Sequence, residues 1–312
     1  MVQPKVIIHG GAGSSLQGKG DVDLVRRELR QIVEAVYGRV IAGITAAEAV
    51  VFGCQRLEDN PRFNAGKGSV LQSDGQVRMS AALMDGAAQR FSGVINVSRV
   101  QHPIDLAAFL QGSDDRVLSE TGATELSRQL NLPIFDPLTD LRLREWLQER
   151  QDNFQKSMAG VIAEATAAEN TRRGTIGVVV LDDQGRLAAG TSTGGKGLER
   201  IGRVSDSAMP AGNYANADAG ISCTGIGEDI IDECLAAKIT VRVTDGLSLH
   251  QAFEKSFAEA SHNQRDLGAI GIDRSGAIAW GKTSDILLAA YHNGDASGDT
   301  LDLTPGTQTG LV

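Results

Sequence analysis

The stretch Gly174-Thr175-Ile176-Gly177-Val178-Val179-Val180-Leu181 contains the sharpest change of pattern in the chain. From Thr175 onward it is a continuous, mainly apolar run, which is typical of a strand buried on both faces. The residues directly before it, 165–173, are small and polar and predict a surface segment or a flexible linker. The bond between Gly174 and Thr175 therefore joins an exposed segment to a buried strand.

Outward from this strand, the sequence predicts hairpins and amphipathic helices rather than regular β-α-β alternation. A turn at 182–185 leads into a return strand at 186–193. Periodicity and turn residues predict further strands at 5–9, 93–100, 220–224, 269–273, 277–282 and 286–291, a hairpin of 70–72 with 77–83, and helices at 23–42, 45–57, within 103–131, in the first part of 140–172, and at 228–237 and 247–259. This order favours antiparallel sheets flanked by helices.

Composition argues against several classes of protein. The chain has 312 residues and a net charge of −9, whereas a nucleic-acid-binding protein needs a basic face. No apolar run has the length of a signal peptide or a transmembrane helix, so we expect a cytoplasmic protein with no membrane partner. Cys54, Cys223 and Cys234 have neither an even count nor a C-x-x-C spacing, and we expect all three to be buried as small hydrophobic residues.

Gly174 and Thr175 have the features of a self-cleavage site that creates a threonine nucleophile. A threonine hydroxyl needs a base, and a free α-amino group on the same residue, with a pKa of about 7.7–8, can take the proton. This arrangement requires a break in the chain directly before Thr175. Gly174 tolerates the backbone angles that attack on its carbonyl demands, and the following strand would hold the new terminus. On these residues alone, a linker that enters a sheet remains the other interpretation.

A second glycine-rich segment suggests a function of another class. Residues 190–197 have the spacing of a phosphate-binding loop as far as Lys196. The last position is Gly197, where a hydroxyl that binds Mg²⁺ is expected, and no helix is predicted after it. A nucleotide-binding protein that uses this loop is therefore the alternative. The histidines lack metal-ligand spacing, and we interpret His9, at a strand end beside glycines, as a structural turn residue.

Several short segments together resemble the plant-type asparaginase / isoaspartyl aminopeptidase family of N-terminal nucleophile hydrolases. None of them is specific alone, but their order and spacing match the family over most of the chain. They are His9-Gly10-Gly11-Ala12-Gly13; Phe63-Asn64-Ala65-Gly66 leading to Met84-Asp85-Gly86; Gly174-Thr175-Ile176-Gly177; Thr191-Ser192-Thr193-Gly194-Gly195; Gly202-Arg203-Val204-Ser205-Asp206-Ser207; Tyr214-Ala215-Asn216; and Ser222-Cys223-Thr224-Gly225-Ile226-Gly227-Glu228.

The resemblance implies a four-layer αββα sandwich that two subunits, cut from one precursor, form as one structural domain. The α subunit would comprise 1–174, with a polar linker at about 150–174, and the β subunit 175–312. Two such αβ pairs would form a dimer. The implied activity is hydrolysis of β-aspartyl dipeptides and of the side-chain amide of L-asparagine, with release of L-aspartate and no cofactor for catalysis.

The resemblance also assigns roles around the nucleophile. Thr175 would attack the substrate after cleavage behind Gly174, with Thr193 tuning its hydroxyl and Asn64 helping to position it. The Thr224 hydroxyl and the Gly225 N–H would form the oxyanion hole and contact the substrate. In enzymes from which one such donor has been removed, the activation free energy of the reaction rises by roughly 2.7–4 kcal/mol.

Arg203 and Asp206 would bind the two charges of an aspartyl head group. An arginine can hold a carboxylate with two parallel hydrogen bonds, and an aspartate nearby can pair with the ammonium. The family usually has glycine where Ser205 stands, which affects the expected shape of the pocket. A structural Na⁺ is also implied, bound by main-chain carbonyls, since oxygen-only coordination suits a hard cation. These carbonyls belong to Leu57, Glu58, Asn60, Phe63, Ala65 and Lys67.

Two further alternatives stay open. An aspartylglucosaminidase-like enzyme would share the mechanism but act on a sugar-linked asparagine, and it would be expected to carry a secretory signal. A non-catalytic binding protein would keep the fold without ever cleaving itself.

Overall fold

The computed structural model describes residues 2–13, 22–151 and 174–312. Residues 152–173, which hold most of the predicted linker, lie outside the described part. The helices of the described part are α1 (Val22–Ile41), α2 (Ala46–Glu58), α3 (Pro103–Leu110), α4 (Glu120–Gln129), α5 (Asp140–Gln151), α6 (Gly227–Glu233), α7 (Leu235–Thr244) and α8 (Leu249–His262). The strands are β1 (Lys5–Gly13), β2 (Met79–Asp85), β3 (Arg90–Val97), β4 (Val117–Ser119), β5 (Ile176–Leu181), β6 (Leu187–Thr193), β7 (Asn213–Ala215), β8 (Ala219–Gly225), β9 (Leu267–Asp273), β10 (Ile278–Lys282), β11 (Ile286–His292), β12 (Ser297–Asp299) and β13 (Gln308–Leu311).

These strands form two sheets, which agrees with the predicted α+β fold of largely antiparallel sheets flanked by helices. The first sheet has eight strands in the order β12-β11-β1-β5-β6-β2-β3-β4, and the second has five in the order β13-β10-β9-β8-β7. Every pairing is antiparallel except that of β3 with β4. The apolar run that follows Thr175 is strand β5, which lies inside the first sheet between β1 and β6.

Strand β5 is buried on both faces, as the sequence predicts. Ile176, Val178 and Val180 belong to the apolar core on the helical side of the first sheet. Val179 and Leu181 point the opposite way, into a core that also contains Ile270 and Ile272 of the second sheet. Because side chains alternate along a strand, Thr175 and Gly177 belong to the face that meets the second sheet.

Helices α1 and α2 cover the outer face of the first sheet. The predicted apolar positions of α1 are all buried, namely Val25, Leu29, Ile32, Val33, Val36 and Val40. Helix α2 begins with the predicted capping box, in which Thr45 Oγ1 accepts from the Glu48 amide at 3.2 Å and Glu48 Oε2 accepts from the Thr45 amide at 2.8 Å. Gly190 lets α2 approach closely, since a β-carbon there would lie 2.4 Å from Val50.

Helices α7 and α8 cover the second sheet through a separate apolar core. Phe253 and Phe257 of α8 are fully buried and pack with Ile221 of β8 and Ala269 of β9. Among the described residues, no helix is both long and apolar enough to span a membrane.

Three predictions of local structure are wrong. Residues 70–72 do not pair as a strand with 77–83, because Leu71 O accepts from the Leu198 amide (2.8 Å) and Gln72 O from the Trp146 indole (3.0 Å), although the turn at 73–75 forms. The helix predicted at 228–237 breaks at Cys234, which has φ +46°. Cys234 is also exposed, whereas Cys54 and Cys223 are buried as expected.

Candidate active site

Thr175 lies at the entrance to β5, on the face that meets the second sheet. Its side chain is almost fully buried, and Oγ1 donates a hydrogen bond to Thr193 Oγ1 at 3.2 Å. Thr193 ends β6 on the same face, and its Oγ1 also accepts from the Gly195 amide at 3.0 Å. The Thr175 hydroxyl is therefore held by a partner whose own position is fixed by the following loop.

Asn64 joins three loops at this point. Its main-chain N–H donates to the carbonyl of Gly174 at 3.2 Å, and its carbonyl accepts from the Gly194 amide at 3.0 Å. Its side chain donates to the Gly195 carbonyl at 2.6 Å and accepts from the Val70 amide at 2.9 Å. The side chain of Asn64 thus connects the loops, while its main chain contacts the carbonyl of Gly174, at the predicted cleavage site.

A pocket opens over Thr175 between the ends of the two sheets. Thr224 of β8 directly precedes the lining residue Gly225; it is fully buried, and its Oγ1 accepts from the Ala12 amide at 3.1 Å. Because this hydrogen bond uses only a lone pair of the Thr224 oxygen, the proton of the Thr224 hydroxyl stays available for donation. The pocket is lined by Gly174, Thr175, Thr193, Gly195, Lys196, Arg203, Ser205, Asp206, Gly225 and Gly227.

Arg203 brings a positive charge into this pocket and is mostly buried. Its Nε and Nη2 donate to the two carboxylate oxygens of Glu228 at 3.1 and 3.0 Å, and Glu199 lies 3.9 Å from Nη1. Burial opposes the charge of Glu228, but the attraction of Arg203 and its hydrogen bonds lower the pKa of Glu228 to about 2. Lys196 Nζ also lies 3.3 Å from Glu228. The cationic side of the pocket is thus oriented by a carboxylate from α6.

Asp206 supplies the opposite charge. It is buried next to Arg203, and burial raises its pKa to about 7 although the attraction of Arg203 lowers it. Asp206 Oδ2 and the Ser205 hydroxyl are buried without a hydrogen-bond partner among the described residues. Buried polar atoms of this kind are rare in native structures, and their presence in a pocket is typical of a site whose ligand brings the missing donors.

The comparisons with known proteins agree with this arrangement. The sequence profile of the family described as Asparaginase matches residues 2–302. A protein of a Nostoc species named isoaspartyl peptidase/L-asparaginase is 67% identical, covering 100% of this chain and 98% of its own. One of the same name from a Synechocystis species is 64% identical over 98% of this chain and 93% of its own. The chain belongs to the asparaginase family. A plant-type L-asparaginase of Pyrococcus furiosus is 34% identical over 92% of this chain and 95% of its own.

Membership of the asparaginase family confirms the resemblance, and the structure shows where the residues singled out by it lie. Gly174, Thr175, Thr193, Arg203, Asp206 and Gly225 line one pocket. Asn64 is not a lining residue but contacts the carbonyl of Gly174, and Thr224 directly precedes the lining residue Gly225. The six carbonyls of the predicted sodium site belong to the last two residues of α2, Leu57 and Glu58, and to the loop after it, which also carries Asn64.

In this asparaginase-family chain, sequence reasoning missed three residues at the site. Glu228 ends one of the family motifs, but its separation of 25 residues from Arg203 does not by itself reveal the pair. His9 is not a turn residue: it is fully buried in β1, and its Nδ1 lies 3.0 Å from the Thr175 carbonyl. Ser222, which lies 2.9 Å from His9 Nε2, was also missed.

The phosphate-loop alternative does not fit the structure. Gly190 to Thr193 complete strand β6, and no helix follows Lys196 before residue 205. A phosphate loop needs a helix N-terminus directly after the glycines to bind the anion.

Proposed function

We propose that this protein is a self-processing amidohydrolase that cleaves β-aspartyl dipeptides and the side-chain amide of L-asparagine. The observation that carries the proposal is that Arg203 and Asp206 line the same pocket as Thr175. A free aspartyl head group has one carboxylate and one ammonium, which match these two side chains. With the head group held there, its side-chain carbonyl can reach the Thr175 hydroxyl.

Self-cleavage would begin at the carbonyl of Gly174. The Thr175 hydroxyl attacks this carbonyl, and the Asn64 N–H, 3.2 Å from its oxygen, stabilises the developing negative charge. The acyl group of Gly174 then moves from the nitrogen of Thr175 to its side-chain oxygen and forms an ester, and water hydrolyses the ester. The products are a chain that ends at Gly174 and one that begins with the free amine of Thr175.

Turnover would use that amine as the base. It takes the proton of the Thr175 hydroxyl as the oxygen attacks the substrate's side-chain carbonyl, while Thr193 orients the hydroxyl. Gly225 N–H and the Thr224 hydroxyl stabilise the oxyanion. Ammonia or an amino acid leaves with the proton, and water then releases L-aspartate from the acyl-enzyme.

The two chains would form one domain, a four-layer αββα sandwich. Support comes from three cores in succession: helices against the first sheet, the first sheet against the second, and the second sheet against α7 and α8. Strand β1, from the α chain, lies between β11 and β5 of the β chain, so the fragments would stay together. We further propose a dimer of these pairs, located in the cytoplasm, as the family resemblance implies.

A structural Na⁺ is part of the proposal. Among the described residues, no donor reaches the carbonyls of Phe63, Ala65 or Lys67, although they lie in a tight loop. The carbonyls of Glu58 and Asn60 each accept one main-chain hydrogen bond and keep a second lone pair, whereas that of Leu57 accepts from the amides of both Asp59 and Asn60, so five of the six carbonyls keep a free lone pair. The residues present therefore fit a hard monovalent cation, which would hold the loop that carries Asn64.

Mass spectrometry of the purified protein tests the proposal. We expect a fragment that begins at Thr175 and a second that ends at Gly174. Thr175→Ala should remove both the cleavage and the hydrolysis, because it removes the attacking oxygen, whereas Thr175→Ser keeps a hydroxyl and should retain part of each. A full-length chain that still hydrolyses β-aspartyl bonds would contradict the mechanism, and an intact, inactive chain would favour a non-catalytic binding protein.

A panel of substrates separates the remaining alternative. We expect turnover of L-asparagine and of β-aspartyl dipeptides, and none of α-aspartyl dipeptides, whose head group presents the two charges in a different relation to the scissile bond. Faster hydrolysis of glycosyl-asparagine than of any β-aspartyl dipeptide would instead indicate an aspartylglucosaminidase-like enzyme.

A further inference from the structure

Three buried polar side chains form a chain of hydrogen bonds behind Thr175. His9 Nδ1 lies 3.0 Å from the Thr175 carbonyl, and because a carbonyl only accepts, Nδ1 carries a proton and donates. His9 Nε2 lies 2.9 Å from Ser222 Oγ, and Ser222 Oγ lies 2.8 Å from Thr191 Oγ1. His9 and Thr191 belong to the first sheet and Ser222 to the second, so the chain spans the interface between the sheets.

The strand that carries the nucleophile makes room for this chain. Gly177 lies beside it, and a β-carbon at that position would be 2.0 Å from Ser222 Oγ and 2.3 Å from His9 Nε2. A glycine inside a buried strand weakens the strand, so its presence here needs a compensating reason. The close approach of His9 and Ser222 is that reason.

Thr175 directly precedes the paired part of β5. Pairing of β5 with β1 ends at Gly177 and His9, and pairing with β6 ends at Ile176 and Ser192. Thr175 therefore lies beyond the last paired residues, and self-cleavage would remove its covalent link to Gly174. The hydrogen bond from His9 to the Thr175 carbonyl would then fix the orientation of this residue.

We propose that His9, oriented by Ser222, is a positioning residue for the threonine nucleophile. It holds the Thr175 carbonyl so that the hydroxyl and the amine of the same residue face the substrate carbonyl. The segment also supplies the Ala12 N–H that orients Thr224, so one stretch of β1 aligns the nucleophile and an oxyanion donor. This inference rests on the proposed function.

Two substitutions of His9 separate its two contacts. Asparagine can place an amide N–H near the position of Nδ1 and keep the bond to the Thr175 carbonyl, whereas glutamine places its amide near Nε2 and loses that bond. We expect kcat per cleaved chain to fall about 10- to 100-fold in His9→Gln, because misplacing a reacting group by about 1 Å costs on this scale, while KM changes less than about twofold. His9→Asn should keep kcat within about fivefold of the wild type.

Ser222→Ala gives an independent measurement with a matched control. It should lower kcat without raising KM, since it leaves His9 Nε2 without its partner. Ser92→Ala is the control, because Ser92 is equally buried and makes two hydrogen bonds away from the pocket. The thermal midpoint of each variant reports any general loss of stability. We expect Ser222→Ala and Ser92→Ala to have similar thermal midpoints.

The outcomes separate this inference from the proposed function. A wild-type chain that neither cleaves itself nor hydrolyses β-aspartyl bonds would refute the proposed function. An active wild type in which His9→Gln and His9→Asn have equal kcat, or in which Ser222→Ala matches Ser92→Ala, would refute the positioning role. If His9→Gln does not mature, the pair of serine variants decides the question.

Discussion

At the scale of single residues, the unusual feature is a buried aspartate that must become charged to do its work. Burial raises the pKa of Asp206 to about 7, and only its anionic form can pair with a substrate ammonium. We therefore expect KM for a β-aspartyl dipeptide to fall about tenfold between about pH 6 and about pH 8, as the ionised fraction rises from about a tenth to about nine-tenths. Steady-state kinetics across this range measure the effect.

Asp206→Asn is the control for this prediction. It should raise KM and remove its dependence on pH, while the rise of kcat with pH, which reports the Thr175 amine, should persist. A KM of the wild type that does not change with pH would contradict the prediction. The folded-state pKa of Asp206 is above its usual value of 3.8, so its contribution to stability is complete below pH 3.8 and is lost as pH rises through about 7.

At the scale of secondary structure, the break between α6 and α7 offers a prediction about stability. Cys234 adopts a left-handed conformation, which costs a residue with a β-carbon roughly 1–2 kcal/mol. Glycine carries no such penalty, so Cys234→Gly should raise the free energy of unfolding by about 0.5–1 kcal/mol. Cys234→Ala loses the same exposed thiol but keeps the β-carbon, and should leave stability nearly unchanged. Equal stabilities of the two variants in denaturant titrations would contradict this account.

The elements that could be predicted from sequence are those whose signals are local. The apolar spacing of α1 and the capping box of α2 lie within their own segments, and both elements form within one residue of the predicted bounds. The break at Cys234 has no local signal, because the first amides of α7 bond instead to the carbonyls of Pro210 and Ala211. The failed hairpin at 70–72 has the same cause, since its carbonyls bond to distant residues.

The site shows the same division. Thr175 could be singled out because a polar segment meets a buried strand there, and the family motifs then pointed to Arg203 and Asp206. The contacts of His9 with Thr175 and Ser222 span 166 and 213 residues. They depend on which strands pair and on how the sheets stack, and neither is encoded in a continuous apolar run such as β5.

At the scale of the whole molecule, the loop at 57–68 connects the proposed ion to the active site, since it also contains Asn64. Gly66 has φ +51°, and a β-carbon there would lie 2.5 Å from the Glu58 carbonyl. A ligand that binds only the folded state stabilises it, by about 2.7 kcal/mol at 100 times its dissociation constant. Replacing Na⁺ by choline at constant ionic strength should therefore lower the thermal midpoint.

Two glycine variants show whether that effect arises in this loop. Gly66→Ala should distort the carbonyls and remove the difference between Na⁺ and choline. Gly43→Ala is the matched control, because Gly43 also has positive φ (+97°) but a β-carbon there meets nothing within 4 Å. It should lose stability to backbone strain and keep its response to Na⁺. If the wild type melts at the same temperature in both salts, the cation does not contribute to the fold, and Asn64 must be positioned by its hydrogen bonds alone.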